Sequence, residues 1–395
     1  MTNDTASKTT SSLSTTVEAL SICIQAHVPA MLWGLSGSGK TKTVAAIAKA
    51  LSLHMWTIIL SVREPTDQGG YPSVDREDRV VDFMPTRWTK QLVEAGEGVV
   101  FWDELNTAET RTQASALRVV DEGYAGDAKL PETTSHVAAC MPHEPGSGTN
   151  PLIGAMANRW CHFTWHPTPD ERIAARRAGY PAPILPKIDR ELIDEGMDDA
   201  NLIVSLFHEK RPTLIHARPA DVASRGKAWP SDRTWTMAAR LISAARATGH
   251  SHKSPVMRML VEGAVSEAAS REFFSWWINM DLRDPEEYLT NPALPLPERQ
   301  DQILVTLSAI AAAAIRAGPG NSEEARTRRQ YAALKVIGRV CKELNKADLC
   351  APAARVVFSN MTAQVAQNLP MDDIRPLAQM LRGAGKVVRQ TRDVS

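Results

Sequence analysis

The chain predicts an α/β fold, a parallel sheet interleaved with helices and followed by helical regions. Three observations carry that expectation. Five short apolar runs, at 30–33, 55–60, 98–102, 136–140 and 161–165, alternate with helix-forming stretches across residues 17–166, as a sheet with crossover helices requires. The first run leads at once into a glycine-rich turn and then a helix-forming stretch at 43–50. After His166-Pro167 the alternation stops, and helical patterns broken by loops replace it.

Each part has its reason. Residues 1–16 are rich in Ser and Thr and lack an apolar core, so they read as a disordered tail. Residues 34–41, Gly-Leu-Ser-Gly-Ser-Gly-Lys-Thr, match G-x-x-x-x-G-K-[ST]. Strand, glycine loop and helix in that order suit a nucleoside triphosphate. Glycines let the backbone approach the phosphates, and the helix start offers uncompensated N–H groups and a positive dipole end. Gly34, Ser36, Gly37, Ser38, Gly39, Lys40, Thr41 and Lys42 are therefore the candidate nucleotide-binding residues, with Lys40 on the β- and γ-phosphates and Thr41 on Mg²⁺.

The run at 98–102 ends in two carboxylates, Asp103 and Glu104. At the C-terminal edge of a parallel sheet they face the phosphates. Asp103 supports Mg²⁺ through its water shell, and Glu104 orients and deprotonates the attacking water. A G-x-S-x-G elbow is absent. Residues 167–280 read as helices broken by loops at 178–187 and 211–231. A Pro-rich linker spans 281–297, and 298–395 is helical again, with segments near 298–317, 322–346, 351–368 and 371–382.

Bulk composition bounds the rest. At 395 residues, 43% hydrophobic and 23% charged, the chain fits two or three compact units. Lys+Arg and Asp+Glu balance at 45 each, which argues against wholesale binding to nucleic acid or an anionic membrane. Five cysteines without a C-x-x-C pair suit reduced thiols. Without a signal core or an apolar run of about 18 residues, the expectation is a soluble cytoplasmic protein. His162 and His166 would lie about 13 Å apart on a strand, too far for one Zn²⁺. Phe273, Phe274, Trp276 and Trp277 read as core rather than as a base-stacking platform. Arg326, Arg328, Arg329, Lys335 and Arg339 read as a solvated helix face.

The run Asp103-Glu104-Leu105-Asn106-Thr107-Ala108-Glu109, followed by 113–123, resembles the Walker B segment and next helix of MoxR-type AAA+ ATPases. Other segments resemble that family in consistent order. Residues 63–70 resemble the stretch after its second strand, where an inserted element faces the ring pore, and 81–88 resemble the return. Residues 124–130 sit at its hairpin before sensor 1, 152–160 at the end of its core, and 229–235 at its lid motif. Together these cover roughly residues 17–290. The resemblance implies a P-loop NTPase of AAA+ type, with a parallel five-stranded sheet, an α-helical lid and a C-terminal helical region. It also implies a homo-oligomeric ring, a hexamer, that hydrolyses ATP to do chaperone-like work on a protein client, with a von Willebrand factor A-domain partner. Arg159 would be the arginine finger on a neighbour's γ-phosphate. Arg233 would be the sensor-2 residue on the same chain's nucleotide.

One departure matters. Where the family has Ala-Ala-Asn-Pro-Pro-Glu, this chain reads Ala139-Cys140-Met141-Pro142-His143-Glu144. Met141 thus replaces the asparagine that positions the attacking water, and a thioether is a weak acceptor that cannot donate. Slow hydrolysis is expected, or a substitute polar group from Asn106 or another loop. Two alternatives stay open: a nucleotide-gated scaffold with little hydrolysis, and a nucleic-acid-linked motor of restriction type, whose DNA-stimulated activity would fall steeply with salt.

Overall fold

The computed structural model describes residues 13–143, 148–179, 182–221, 223–278, 282–315, 323–344 and 347–367. Helix α1 (Leu13–Gln25) begins inside the stretch expected as a disordered tail. Its Ser/Thr-rich first turn is carried into the fold by Ala19, Leu20, Ile22, Cys23 and Ile24, all buried. Residues 1–12 lie outside the described residues.

There follow β1 (Ala30–Trp33), α2 (Lys40–Ala50), β2 (Met55–Ile59), the short α3 (Thr66–Gly69), a hairpin of β3 (Tyr71–Asp75) and β4 (Val80–Met84), and α4 (Arg87–Ala95). Then come β5 (Gly98–Asp103), α5 (Thr110–Glu122), a small hairpin of β6 (Tyr124–Ala125) and β7 (Ala128–Lys129), β8 (Thr134–Cys140), α6 (Gly154–Ala157) and β9 (Cys161–Thr164). The five apolar runs make the expected five-stranded parallel sheet, in the order β2-β5-β8-β1-β9. Its central strands bury Val99 to Trp102 and Val137 to Cys140 almost without alternation, the pattern of a sheet covered on both faces. Strand β8 starts two residues earlier than its apolar run. Thr134 and Ser135 are polar but buried, and Ser135 Oγ donates to Ile24 O at 2.6 Å.

Because every strand runs the same way, the segments after β1, β2, β5, β8 and β9 share one edge of the sheet. In register, Trp33 lies opposite Cys140 and Thr164, Trp102 opposite Ala138, and Ile59 opposite Asp103. The β3–β4 hairpin is inserted between β2 and α4 and exposes Val74, Val81, Phe83 and Met84. Its base is stapled to the β6–β7 hairpin. Gly126 N donates to Gln68 O and Asp127 N to Phe83 O, at 3.0 and 2.9 Å, while Phe83 N donates to Asp127 Oδ2 at 2.6 Å.

The helical region that follows contains α7 (Pro169–Arg177), α8 (Arg190–Glu195), α9 (Met197–Lys210), α10 (Asp232–Ala247), α11 (Pro255–Val265) and α12 (Glu267–Ile278). Capping boxes at Thr168/Glu171 and Ser231/Thr234 start α7 and α10. The aromatic run of α12 is core: Phe273 packs on Phe207 and Trp235 with ring centroids 5.2 and 5.6 Å apart. The described residues up to Ile278 form one compact unit.

The second unit, Asn279–Ser395, holds α13 (Pro285–Thr290), α14 (Gln300–Ile315), α15 (Glu323–Leu344), α16 (Ala347–Ser359) and α17 (Ala363–Gln367). The Pro-rich stretch at 281–297 is not a free linker. Asp284 caps α13 and Pro285 opens it, since proline's fixed φ suits a first helical turn. Tyr288 is then buried with Ile303, Leu307, Ile310 and Ile337 in this unit's own core. Two arginines read as solvated are tethers: Arg329 binds the Glu286 carboxylate at 2.5 and 2.8 Å and Ala313 O at 2.6 Å, and Arg339 donates to Pro292 O and to Leu294 O. The expected segment at 351–368 breaks at Asn360, where Gln330 takes Asn360 O and Thr362 N. The segment expected at 371–382 lies outside the described residues. No helix among the described residues is long and apolar enough to cross a membrane.

Candidate active site

The glycine loop leaves β1 and enters α2 at Lys40, with Gly37 and Gly39 at φ +68 and +94. These left-handed conformations are open to glycine at no steric cost. A Cβ on Gly37 would meet nothing within 4 Å, so the loop's outer side is open. Its inner side is tight: a Cβ on Gly34 would sit 2.5 Å from Trp165 O, and Trp165 Nε1 donates to Ser38 O at 3.1 Å. Lys40 is buried, and its Nζ donates to Gly34 O and Leu35 O at 2.7 and 2.9 Å. Burial lowers its pKa, partly offset by Asp103, Cys140 and Glu104.

Asp103 ends β5 beside this loop, and Thr41 Oγ1 donates to its Oδ2 at 3.1 Å. A hydroxyl and a carboxylate so placed at a helix start make a hard-oxygen pair of the kind Mg²⁺ takes. Glu104 follows in a left-handed backbone conformation, φ 53 and ψ 40, that side chains rarely adopt. Ser61, just past β2, donates to Glu104 Oε2 at 3.1 Å. Lys40, Thr41, Asp103 and Glu104 therefore gather at one sheet edge.

Met141 follows β8 at the same edge. Asn106 Nδ2 donates to Met141 O at 2.8 Å, and Met141 N donates to Asn106 Oδ1 at 3.0 Å. Asn106 is buried. Its amide clasps the main chain of the neighbouring strand end.

Arg159 is elsewhere. It lies just before β9, at the opposite edge of the sheet from the loop after β1. Its Nη2 pairs with Asp121 Oδ2 at 2.6 Å and its Nη1 donates to Ala155 O at 2.6 Å. Arg233, expected on the same chain's nucleotide, instead reaches Asp121 Oδ1 at 3.5 Å. Asp121 is near the end of α5, about 17 Å along it from Thr110 at 1.5 Å per residue. The two arginines are thus together, and apart from the glycine loop of their own chain. Main-chain neighbours join them as well: Ser231 Oγ donates to Asn158 Oδ1 at 2.9 Å, and Asn158 Nδ2 to Trp229 O at 3.3 Å.

His162 has an internal role. Trp33 Nε1, one residue before Gly34, donates to His162 Nδ1 at 2.8 Å, and Nε2 carries its proton to Ala157 O at 2.8 Å. Burial pushes this ring's pKa down to about 4 and keeps it neutral. Ser61, Asp121, Trp165 and His162 all escaped the sequence reading as parts of the site, because each acts through a partner distant in the chain.

No protein-family model matches the chain, and no curated protein matches it. Among solved structures it is similar to a presumed ATPase from Cytophaga hutchinsonii, with TM-score 0.39 and 16% identity over 67% of this chain and 88% of that one. It is also similar to a full-length MCM homolog from Methanopyrus kandleri, with TM-score 0.36 and 15% identity, covering 66% of this chain and 54% of that one.

Proposed function

We propose that the chain binds ATP with Mg²⁺ and hydrolyses it to ADP and phosphate as one subunit of a homo-oligomer, an AAA+-type ATPase acting on a protein client. One observation carries this reading. The loop, Thr41, Asp103 and Glu104 meet at one sheet edge, while Arg159 stands at the other edge, which suits a phosphate brought by a second chain.

Loop N–H groups and Lys40 hold the triphosphate, with Lys40 exchanging its two carbonyl partners for phosphate oxygens. Thr41 and Asp103 would hold Mg²⁺, which would supply charge neutralisation at the phosphates. Glu104 takes the proton of a water whose oxygen attacks the γ-phosphorus, and the bond to the β-phosphate oxygen breaks. Ser61 holds the Glu104 carboxylate until water is in place. Arg159 of one chain stabilises the charge that develops on its neighbour's phosphate. The exposed apolar β3–β4 hairpin supplies a surface on which an unfolded or extended client could be gripped.

The test is phosphate release per subunit against protein concentration, for wild type, Glu104→Gln and Arg159→Ala. The reading expects a rate that rises with concentration and falls at least about 100-fold in both variants. Wild type that binds Mg-ATP and assembles without turnover would favour the nucleotide-gated scaffold, a reading that the Met141 departure supports. Stimulation by DNA that vanishes with salt would favour the nucleic-acid motor.

A further inference from the structure

We infer that Asp121 is the positioning residue of the arginine pair: its carboxylate holds Arg159 and Arg233 together as one receptor for the phosphate chain bound by a second copy of this chain. The inference rests on the trans placement of Arg159 proposed above.

The geometry is a three-member cluster. One oxygen of Asp121 takes Arg159 Nη2 at 2.6 Å and the other takes Arg233 Nη2 at 3.5 Å. Two guanidiniums within one carboxylate's width repel each other unless a negative charge lies between them. Asp121 is that charge. The cluster keeps a net positive charge, and Arg233 is 44% exposed, so it can still recruit an anion.

Arg159 needs the help more. Its side chain is only 16% exposed, Nη1 is committed to Ala155 O, and Nε is buried without a hydrogen-bond partner. Its reach is fixed by α6 on one side and by Asp121 on the other. The Asn158–Ser231 joint holds the two backbones together independently of Asp121. Removing the carboxylate charge therefore frees the guanidiniums without undoing the joint, which separates positioning from folding.

The experiment uses full-length Asp121→Asn, nearly isosteric at a partly exposed site, with thermal melting to follow the fold. Turnover is expected to fall at least about tenfold in kcat, with KM for ATP within about twofold of wild type because the nucleotide loop is untouched. Mixing supplies the readout that a structural defect would not move. Glu104→Gln subunits cannot turn over but carry intact arginines, so mixed with Asp121→Asn they should raise the rate above the sum of the two alone, as they should with Arg159→Ala. Asp121→Glu, which keeps the charge, should retain more turnover than Asp121→Asn.

Wild-type or raised kcat in Asp121→Asn would overturn the inference while leaving the ATPase reading intact. So would equal losses in the Asn and Glu variants, or rescue of Arg159→Ala without rescue of Asp121→Asn. Mixing that rescues neither variant would overturn the trans placement on which both readings stand. A wild type without turnover would bring both down.

Discussion

At the scale of single residues, the site divides by how far each contact reaches. Lys40, Thr41, Asp103 and Glu104 were legible because their chemistry sits in local motifs, a glycine loop before a helix and two carboxylates after a strand. Asp121 and Ser61 were not, since no spacing announces a contact with Arg233 or Glu104. Arg233 shows the limit of a motif: its place in the chain was readable, its partner was not. Met141 is the residue on which rate should turn. Asn106 binds the Met141 main chain through both amide atoms, and the Met141 side chain offers no amide of its own. Met141→Asn should therefore raise kcat several-fold without changing KM, measured as steady-state phosphate release. An unchanged kcat would show that water is positioned by another group.

At the scale of elements, the five strands were legible because a sheet covered on both faces writes itself as unbroken apolar runs. What the sequence hid were polar residues used internally. Ser135 is buried in β8 with its hydroxyl satisfied by Ile24 O, and Pro285 opens a helix in what composition marks as a linker. The two hairpins depend on close backbone approach. A Cβ on Gly126, at φ +59, would lie 2.5 Å from Phe83 O, and a carbonyl cannot step aside as a side-chain end can. Gly126→Ala should destabilise this region by about 1–3 kcal/mol. Hydrogen exchange should speed up at 71–84 and 124–129 while the amides of β5 and β8 stay protected.

At the scale of the whole molecule, two units bury separate cores, so calorimetry should show two transitions. Ile310→Ala, at a fully buried site, should lower one of them by about 2–5 kcal/mol. Added nucleotide should raise only the other, because a ligand stabilises the unit that binds it. Acid should separate them further. Burial pushes His27, His136 and His162 each down to about 4, with Arg190 and Arg240 adding to the effect at His27. All ten histidines precede residue 279. Between about pH 6.5 and 4 the unfolded chain binds protons that the folded chain refuses, so these rings favour the fold fully above 6.5 and progressively less as pH falls. Each contributes a slope of order 1 kcal/mol per pH unit in that window. The first unit's urea midpoint should drop between pH 7.5 and 5.5 while the second's holds.

The same division bears on descent. Every residue assigned to the chemistry lies between 34 and 233, and the described residues from 282 onward bury a core of their own side chains. A gene built this way can exchange or remodel its 3′ third by recombination without rewriting the nucleotide machinery. Lineages sharing that machinery should thus differ most in the cassette attached behind it.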